Sequence, residues 1–293
     1  MTDTAGGATR LVHVTTTDMS LELLLGPQLE AFAAAGYEVY GASAPGRFVN
    51  ALELRGITHI PLRHATRAMA IGEDARALGE LVRIFRWLRP AIVHTHNPKP
   101  GVYGRIAARV ARVPIVVNTV HGLYALPEDR LRKRIPVYAL ERVAATFSQA
   151  ELVQNPEDLP VLRRLRLPES KMRLLGNGID LGRFDVARRD QTAAWARRQL
   201  GATSPQSVVV GLVGRLVREK GYGEVFAAAR TLRERHPELV FAVIGPDEPD
   251  KADAVTAAER ADAAAAGIRF LGERGDLERL YSGMDVYVLA SYR

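Results

Sequence analysis

Short apolar runs alternate along this chain with stretches in which apolar residues recur every three or four positions, from residue 11 to residue 289. The runs read as strands buried on both faces of a parallel sheet, the periodic stretches as helices with one apolar face. The predicted order is strand 11–15, helix 20–35 closed by Gly36, strand 38–41, strand 57–62 and helix 73–88. On that last helix Leu78, Leu81, Val82, Phe85 and Leu88 share a face, and Pro90 stops it. Strand 91–95, helix 101–111, strand 114–119, helix 133–147 and short strands at 151–154 and 172–175 follow. Strand, helix, strand with short connections argues a parallel, doubly wound sheet.

Residues 181–205 are rich in Arg and Gln and carry no strand pattern, so the domain crossing is placed there. The alternation then restarts: strand 208–213, helix 223–235, strand 239–244, an Ala-rich helix 252–266, strand 268–271, a short helix 276–282 and strand 286–289. A length of 293 residues suits two cores, so the fold expected is α/β with two Rossmann-like domains, 1–185 and 186–293. A doubly wound domain ending on a strand lacks the helix that covers it. The second domain is therefore expected to be incomplete.

Apolar content of 47% and charged content of 25% describe a soluble globular protein, and no apolar run reaches the ~20 residues that span a bilayer. The first ten residues lack the apolar centre of a secretory signal and read as a frayed terminus. The absence of cysteine excludes disulfides, thiolate metal sites and a cysteine nucleophile, and fits a cytoplasmic location. Of the net +7, most lies in the first half, where residues 1–180 carry 23 Lys and Arg against 17 Asp and Glu. A basic patch there suits an anionic membrane surface or an anionic substrate.

The stretch 208–221 reads V-V-V-G-L-V-G-R-L-V-R-E-K-G. A buried strand ends at Gly214, and Arg215 and Lys220 stand in front of a helical pattern. Glycine lets a backbone approach a ligand closely, and a following helix offers free N–H groups, so two long cations here suit a diphosphate. Common alternatives lack their motifs: there is no G-x-x-x-x-G-K-[ST] loop, no G-x-G-x-x-G after the first strand and no G-x-S-x-G elbow. His94 and His96, two apart at a strand end, point to one face and with His121 form a candidate trio for a metal. No carboxylate recurs with them at ligand-like spacing, and Asn97, Pro98 and Lys99 suit a polar strand-end loop, so no metal is expected. His121 follows a strand end and precedes Gly122, on the carboxyl edge where doubly wound sheets bind ligands.

Taken together, I-V-H-T-H at 92–96, N-T-V-H-G at 118–122, G-N-G-I-D at 176–180 with Phe184, and G-L-V-G-R-L at 211–216 with Lys220 and Gly221 resemble glycosyltransferase family 4. V-I-G at 243–245, I-R-F-L-G at 268–272 and M-D-V-Y-V-L-A-S at 284–291 extend the resemblance over nearly the whole chain. That family is retaining and folds as two Rossmann-like domains facing a cleft, the GT-B architecture. The resemblance implies that Arg215 and Lys220, with Gly214, hold the diphosphate of a nucleotide-sugar donor. It implies that His121 lies near the transferred sugar as the catalytic residue, and that Gly245, Leu271 and Gly272 lie near the base and ribose. The donor is then a substrate, with no cofactor and no metal.

Family analogy adds a sugar or lipid-linked acceptor, a role in bacterial cell-surface polysaccharide or lipid-linked glycan assembly, and a peripheral place on the inner membrane face. Nucleic acid is not an expected partner. Two departures stand out: Thr16, Thr17 and Asp18 replace the family's glycine-rich loop after the first strand, and the chain ends at Arg293, ahead of the family's two donor-contacting glutamates. The 293-residue chain is accordingly expected to be C-terminally truncated and inactive in transfer. A GT-B nucleotide-sugar epimerase and a non-catalytic nucleotide-sugar-binding fragment are the alternatives.

Overall fold

A computed structural model describes residues 8–66, 70–96, 98–125 and 128–292 of the protein. Asn97, Arg293 and most of the stretch read as a frayed terminus lie outside the described residues. The chain divides into two compact units, Met1–Gly178 and Ile179–Arg293. The division falls seven residues before the boundary expected at 185/186.

In the first unit the described elements run β1 (Thr9–Thr17), α1 (Gly26–Ala34), β2 (Tyr37–Ala44), α2 (Val49–Leu54), β3 (Thr58–Pro61), α3 (Ile71–Leu88) and β4 (Ile92–His96). After them come α4 (Pro98–Val110), β5 (Ile115–Val120), α5 (Leu131–Ala144), β6 (Ala150–Val153), α6 (Asp158–Arg164) and β7 (Met172–Leu174). The strands form one parallel sheet in the order β3-β2-β1-β4-β5-β6-β7, the doubly wound arrangement expected. Val12, Val14 and Val93 on one face meet Ala77, Leu81 and Phe85 of α3 and Ala107 of α4, and all are buried. Removing such surface from water, at roughly 25 cal/mol per Å², dominates the stability of the unit.

The second unit runs α7 (Arg189–Leu200), β8 (Val208–Val213), α8 (Tyr222–Arg235), β9 (Leu239–Ile244), α9 (Ala257–Ala265), β10 (Arg269–Phe270), α10 (Leu277–Leu280) and β11 (Val286–Tyr287). Its parallel sheet has the order β10-β9-β8-β11.

Several elements differ from the sequence pattern. The helix expected over 20–35 is two pieces, a π-helical turn Ser20–Leu24 and α1, because Pro27 at the start of α1 has no N–H to continue the ladder of the preceding turn. The Ala-rich helix begins at Ala257 and not at 252. Thr256 caps it, with its hydroxyl accepting from Glu259 N while the Glu259 carboxylate accepts from Thr256 N, a reciprocal capping box. The six-residue α2 and seven-residue α6 are too short for a periodic signal, and α7 occupies the segment read only as a crossing.

Candidate active site

In the second unit, the carboxyl ends of three strands are joined through backbone. Gly214 N donates to Ile244 O at 2.9 Å, Leu271 N to Val243 O at 2.9 Å, and Gly245 N to Gly272 O at 2.8 Å. Gly245 has φ +152°, and a Cβ there would stand 1.9 Å from Gly214 O, so no other residue fits. The expected donor-site glycines and Leu271 are thus brought to one edge of the sheet. Arg215 and Lys220 lie on the connection from β8 to α8, which makes a single 3-10 turn at Arg218–Lys220 before Gly221, at φ +72°, opens the helix.

Four further residues shape this edge. Tyr222, buried at the first turn of α8, donates its hydroxyl to Gly214 O at 2.8 Å, and burial pushes its phenol up to about 12. The Arg215 guanidinium lies 3.1 Å from Glu219 and 3.8 Å from Glu248, so two carboxylates already face the first cation. Lys220 Nζ donates to Ser291 Oγ at 3.3 Å. The glutamates were visible in the sequence, but nothing in their spacing marks them as partners of Arg215.

In the first unit, the middle of β1 and the carboxyl ends of β4 and β5 carry four histidines. Parallel pairing sets His13 beside His94, and alternation along β4 puts His96 on the same face, its ring 4.1 Å from that of His94. His13 Nδ1 lies 2.9 Å from His96 Nε2, His96 Nδ1 lies 3.0 Å from His121 Nε2, and His121 Nδ1 lies 2.7 Å from Gln154 Oε1. His94 Nε2 meets Thr119 Oγ1 at 2.7 Å.

Burial holds all four rings neutral. It lowers His94 to about 3, with His121 nearby adding to the effect, and carries His13 and His96 well below the ordinary imidazole value. His121, half-buried, is lowered by burial against the pull of Gln154. Among the described residues the metal-sized cluster of ring nitrogens, within 4.8 Å of one another, is His13, His94 and His96, and not the trio with His121. No carboxylate belongs to that cluster, and the facing nitrogens of His13 and His96 are taken up by their mutual hydrogen bond.

Beside His121 lies a cavity of about 350 Å³, lined mainly by apolar side chains that include Leu78, Val102, Ile106, Leu123 and Val137. Lys99, paired with Asp74 at 2.5 Å, Asn118, Thr119 and Glu141 are among its polar points. At the Thr-Thr-Asp segment where the family's glycine-rich loop was missed, Asp18 is buried and accepts from Met19 N at 2.8 Å and Phe48 N at 2.7 Å. That carboxylate fastens the loop after β2 and fills the space beside Gly46.

Two parallel α/β units, each with its candidate groups at the carboxyl edge of the sheet, define the GT-B class of glycosyltransferase fold. The sequence profile described as Glycosyltransferase Family 4 matches residues 28–183, more than half the chain, and that described as Glycosyl transferases group 1 matches residues 196–293. The chain belongs to glycosyltransferase family 4.

It is 29% identical over 228 residues to the UDP-Gal:alpha-D-GlcNAc-diphosphoundecaprenol alpha-1,3-galactosyltransferase of Escherichia coli, covering 77% of this chain and 58% of that protein. To the capsular polysaccharide biosynthesis glycosyltransferase CapM of Staphylococcus aureus it is 24% identical over 294 residues, covering 97% and 73%. Among solved structures, Anabaena HepE in complex with UDP superimposes with a TM-score of 0.73 at 18% identity, covering 97% of this chain and 74% of that one. The chain thus spans about three-fifths of the length of the first relative.

Proposed function

We propose that this chain belongs to an enzyme that moves a sugar from a nucleotide-diphosphate-sugar donor to a sugar or lipid-linked acceptor, with retention, in the assembly of a bacterial surface polysaccharide or lipid-linked glycan. The observation that carries the reading is the backbone edge of Gly214, Gly245 and Gly272 with Arg215 and Lys220 on the connection beside it. Breaking a glycosyl–diphosphate bond builds negative charge on the leaving oxygens and positive charge on the sugar. Fixed cations at the diphosphate therefore stabilise the transition state more than the ground state, without a metal. Gly245, Leu271 and Gly272 take the base and ribose in this reading, and His121 faces the sugar.

Arg215→Ala and Lys220→Ala will each weaken UDP or GDP binding by roughly 10- to 100-fold, the equivalent of about 1.5–3 kcal/mol for a charge-assisted contact. Glu219→Gln will tighten it, because the carboxylate 3.1 Å from Arg215 competes with the diphosphate. Calorimetric titration of the three variants decides the matter, and unchanged affinity for both nucleotides in both cation variants refutes the donor site.

The apolar cavity beside His121 suits the non-polar part of an acceptor. Next to it α5 exposes Leu131, Ile135 and Val143 together with Arg132 and Arg142, and no helix among the described residues is long and apolar enough to cross a membrane. Such a surface matches a headgroup region that gains about 1 kcal/mol per nearby cation, screened within a Debye length. Co-sedimentation will show binding to anionic but not to neutral vesicles, reversed by salt. Equal binding to both kinds removes the membrane from the reading.

A further inference from the structure

The three hydrogen bonds of the histidine line, with the Gln154 side-chain oxygen facing His121, favour one arrangement of protons. The Gln154 side-chain oxygen can only accept, so His121 Nδ1 carries the proton of that 2.7 Å bond. A neutral His121 then presents a lone pair at Nε2, and His96 Nδ1 must donate to it. By the same step His96 Nε2 accepts, and His13 Nδ1 donates. The line ends at His13 Nε2, buried, as a lone pair that meets no hydrogen-bonding group among the described residues. Reversing every proton would place a buried N–H at that end, which is the rarer kind of unsatisfied group in protein interiors. Three consecutive imidazoles are therefore held as Nδ1–H tautomers with their bond dipoles aligned, an arrangement in which each bond polarises the next.

We propose that His96 and His13 are positioning residues for the transfer reaction, holding the ring orientation of His121, whose tautomer Gln154 sets, through this line of imidazole hydrogen bonds. The proposal rests on the reading that His121 faces the transferred sugar. With both ring nitrogens engaged inside the first unit, His121 has no free nitrogen to act as acid or base. It meets the sugar as a fixed, neutral ring. A neutral ring is what an oxocarbenium-like sugar requires of its neighbour, because an imidazolium there would repel the developing positive charge. His96 supplies the donor that keeps the ring in place, and His13 supplies the donor that keeps His96 facing the right way. Neither needs contact with substrate.

The test combines imidazole ¹⁵N spectra with kinetics. In the unchanged protein His13, His96 and His121 are expected to show Nδ1–H tautomers, and His96→Leu should shift the His121 Nε2 resonance, which loses its donor, while Nδ1–H stays on Gln154. An Nε2–H His121 or His96 in the unchanged protein, or a His121 Nε2 resonance unmoved by His96→Leu, overturns the proposal, and the first of these is read even if the variant fails to fold. In kinetics His96→Leu should lower kcat by roughly 10- to 100-fold, the scale of a misplaced group, with the donor KM within about threefold. His96→Asn, whose amide can donate where Nδ1 does, should recover most of the loss. Unchanged kcat in His96→Leu, or no recovery in His96→Asn, removes the positioning role. If His121→Ala itself leaves turnover intact, the placement of His121 at the sugar fails, while the spectra still judge the tautomer line.

Discussion

Acidification from pH 7.5 to 5.5 will lower the melting temperature of the first unit by about 10 °C and leave that of the second nearly unchanged. His13, His94 and His96 are buried and neutral in the folded unit, but regain ordinary imidazole behaviour near pH 6.5 on unfolding. Between that value and their depressed folded values the unfolded chain binds more protons than the folded one. Stability is thus fully present above about pH 6.5 and is lost as the pH falls below it. Each such histidine removes about 1.4 kcal/mol per pH unit, so three remove about 4, and each kcal/mol shifts the melting temperature of a unit this size by about 2–4 °C. For His94 the loss continues to about pH 3.

Glu151 and Asp158 act with the opposite sign, since burial raises their carboxyls and the folded state takes up their protons first, but His59 and His121, lowered by burial, add to the three histidines on the other side. The second unit holds a single histidine, the exposed His236. Scanning calorimetry at the two pH values should show one transition move and the other stay. Equal movement of both, or of neither, contradicts the account.

The strands that could be read from the sequence are those buried on both faces. Val208–Val213 and Leu239–Ile244 have the bounds expected of them because continuous β-branched and aliphatic runs leave little freedom in where to begin or end. Tyr222 and the backbone stitching of Gly245 to Gly272 were not legible, since they depend on which strand ends lie side by side. The histidine line shows the same limit more sharply. His94, His96 and His121 were visible as a set, but residue 13 lies about eighty positions away, and only the parallel register of β1 on β4 joins it to them. One signal was present: His13 interrupts an otherwise apolar strand between Val12 and Val14, and a polar residue there must find a buried partner. The short helices left no comparable mark, since six or seven residues make fewer than two turns.

Arg105→Met will destabilise the first unit by about 3–5 kcal/mol, the cost of leaving buried charge uncompensated. Arg105 on α4 is fully buried and donates to Glu151 at 2.8 Å and to Glu141 at 2.7 Å, while its Nε donates to Gly101 O. Two carboxylates hold the guanidinium charged despite its burial. Glu151 accepts in addition from Asn118 Nδ2 at 2.7 Å and from Ser148, and Asn118 Oδ1 accepts from Thr95 Oγ1 at 2.8 Å. One connected network therefore ties β4, β5 and β6 to α4 and α5, and removing the Arg105 cation leaves two carboxylates without the charge that offsets their desolvation. Methionine fills similar volume, so the loss measures charge and hydrogen bonding more than a cavity. Adding Glu141→Gln and Glu151→Gln should recover most of the stability, because neutral amides can share the remaining hydrogen bonds without an ion. Asn118 and Glu141 also line the cavity beside His121, so the single variant should lose acceptor binding even where it remains folded. Urea denaturation of the single and triple variants gives the comparison. A loss below about 1 kcal/mol in Arg105→Met, or a triple variant no more stable than the single one, shows that the network is not what holds this wall together.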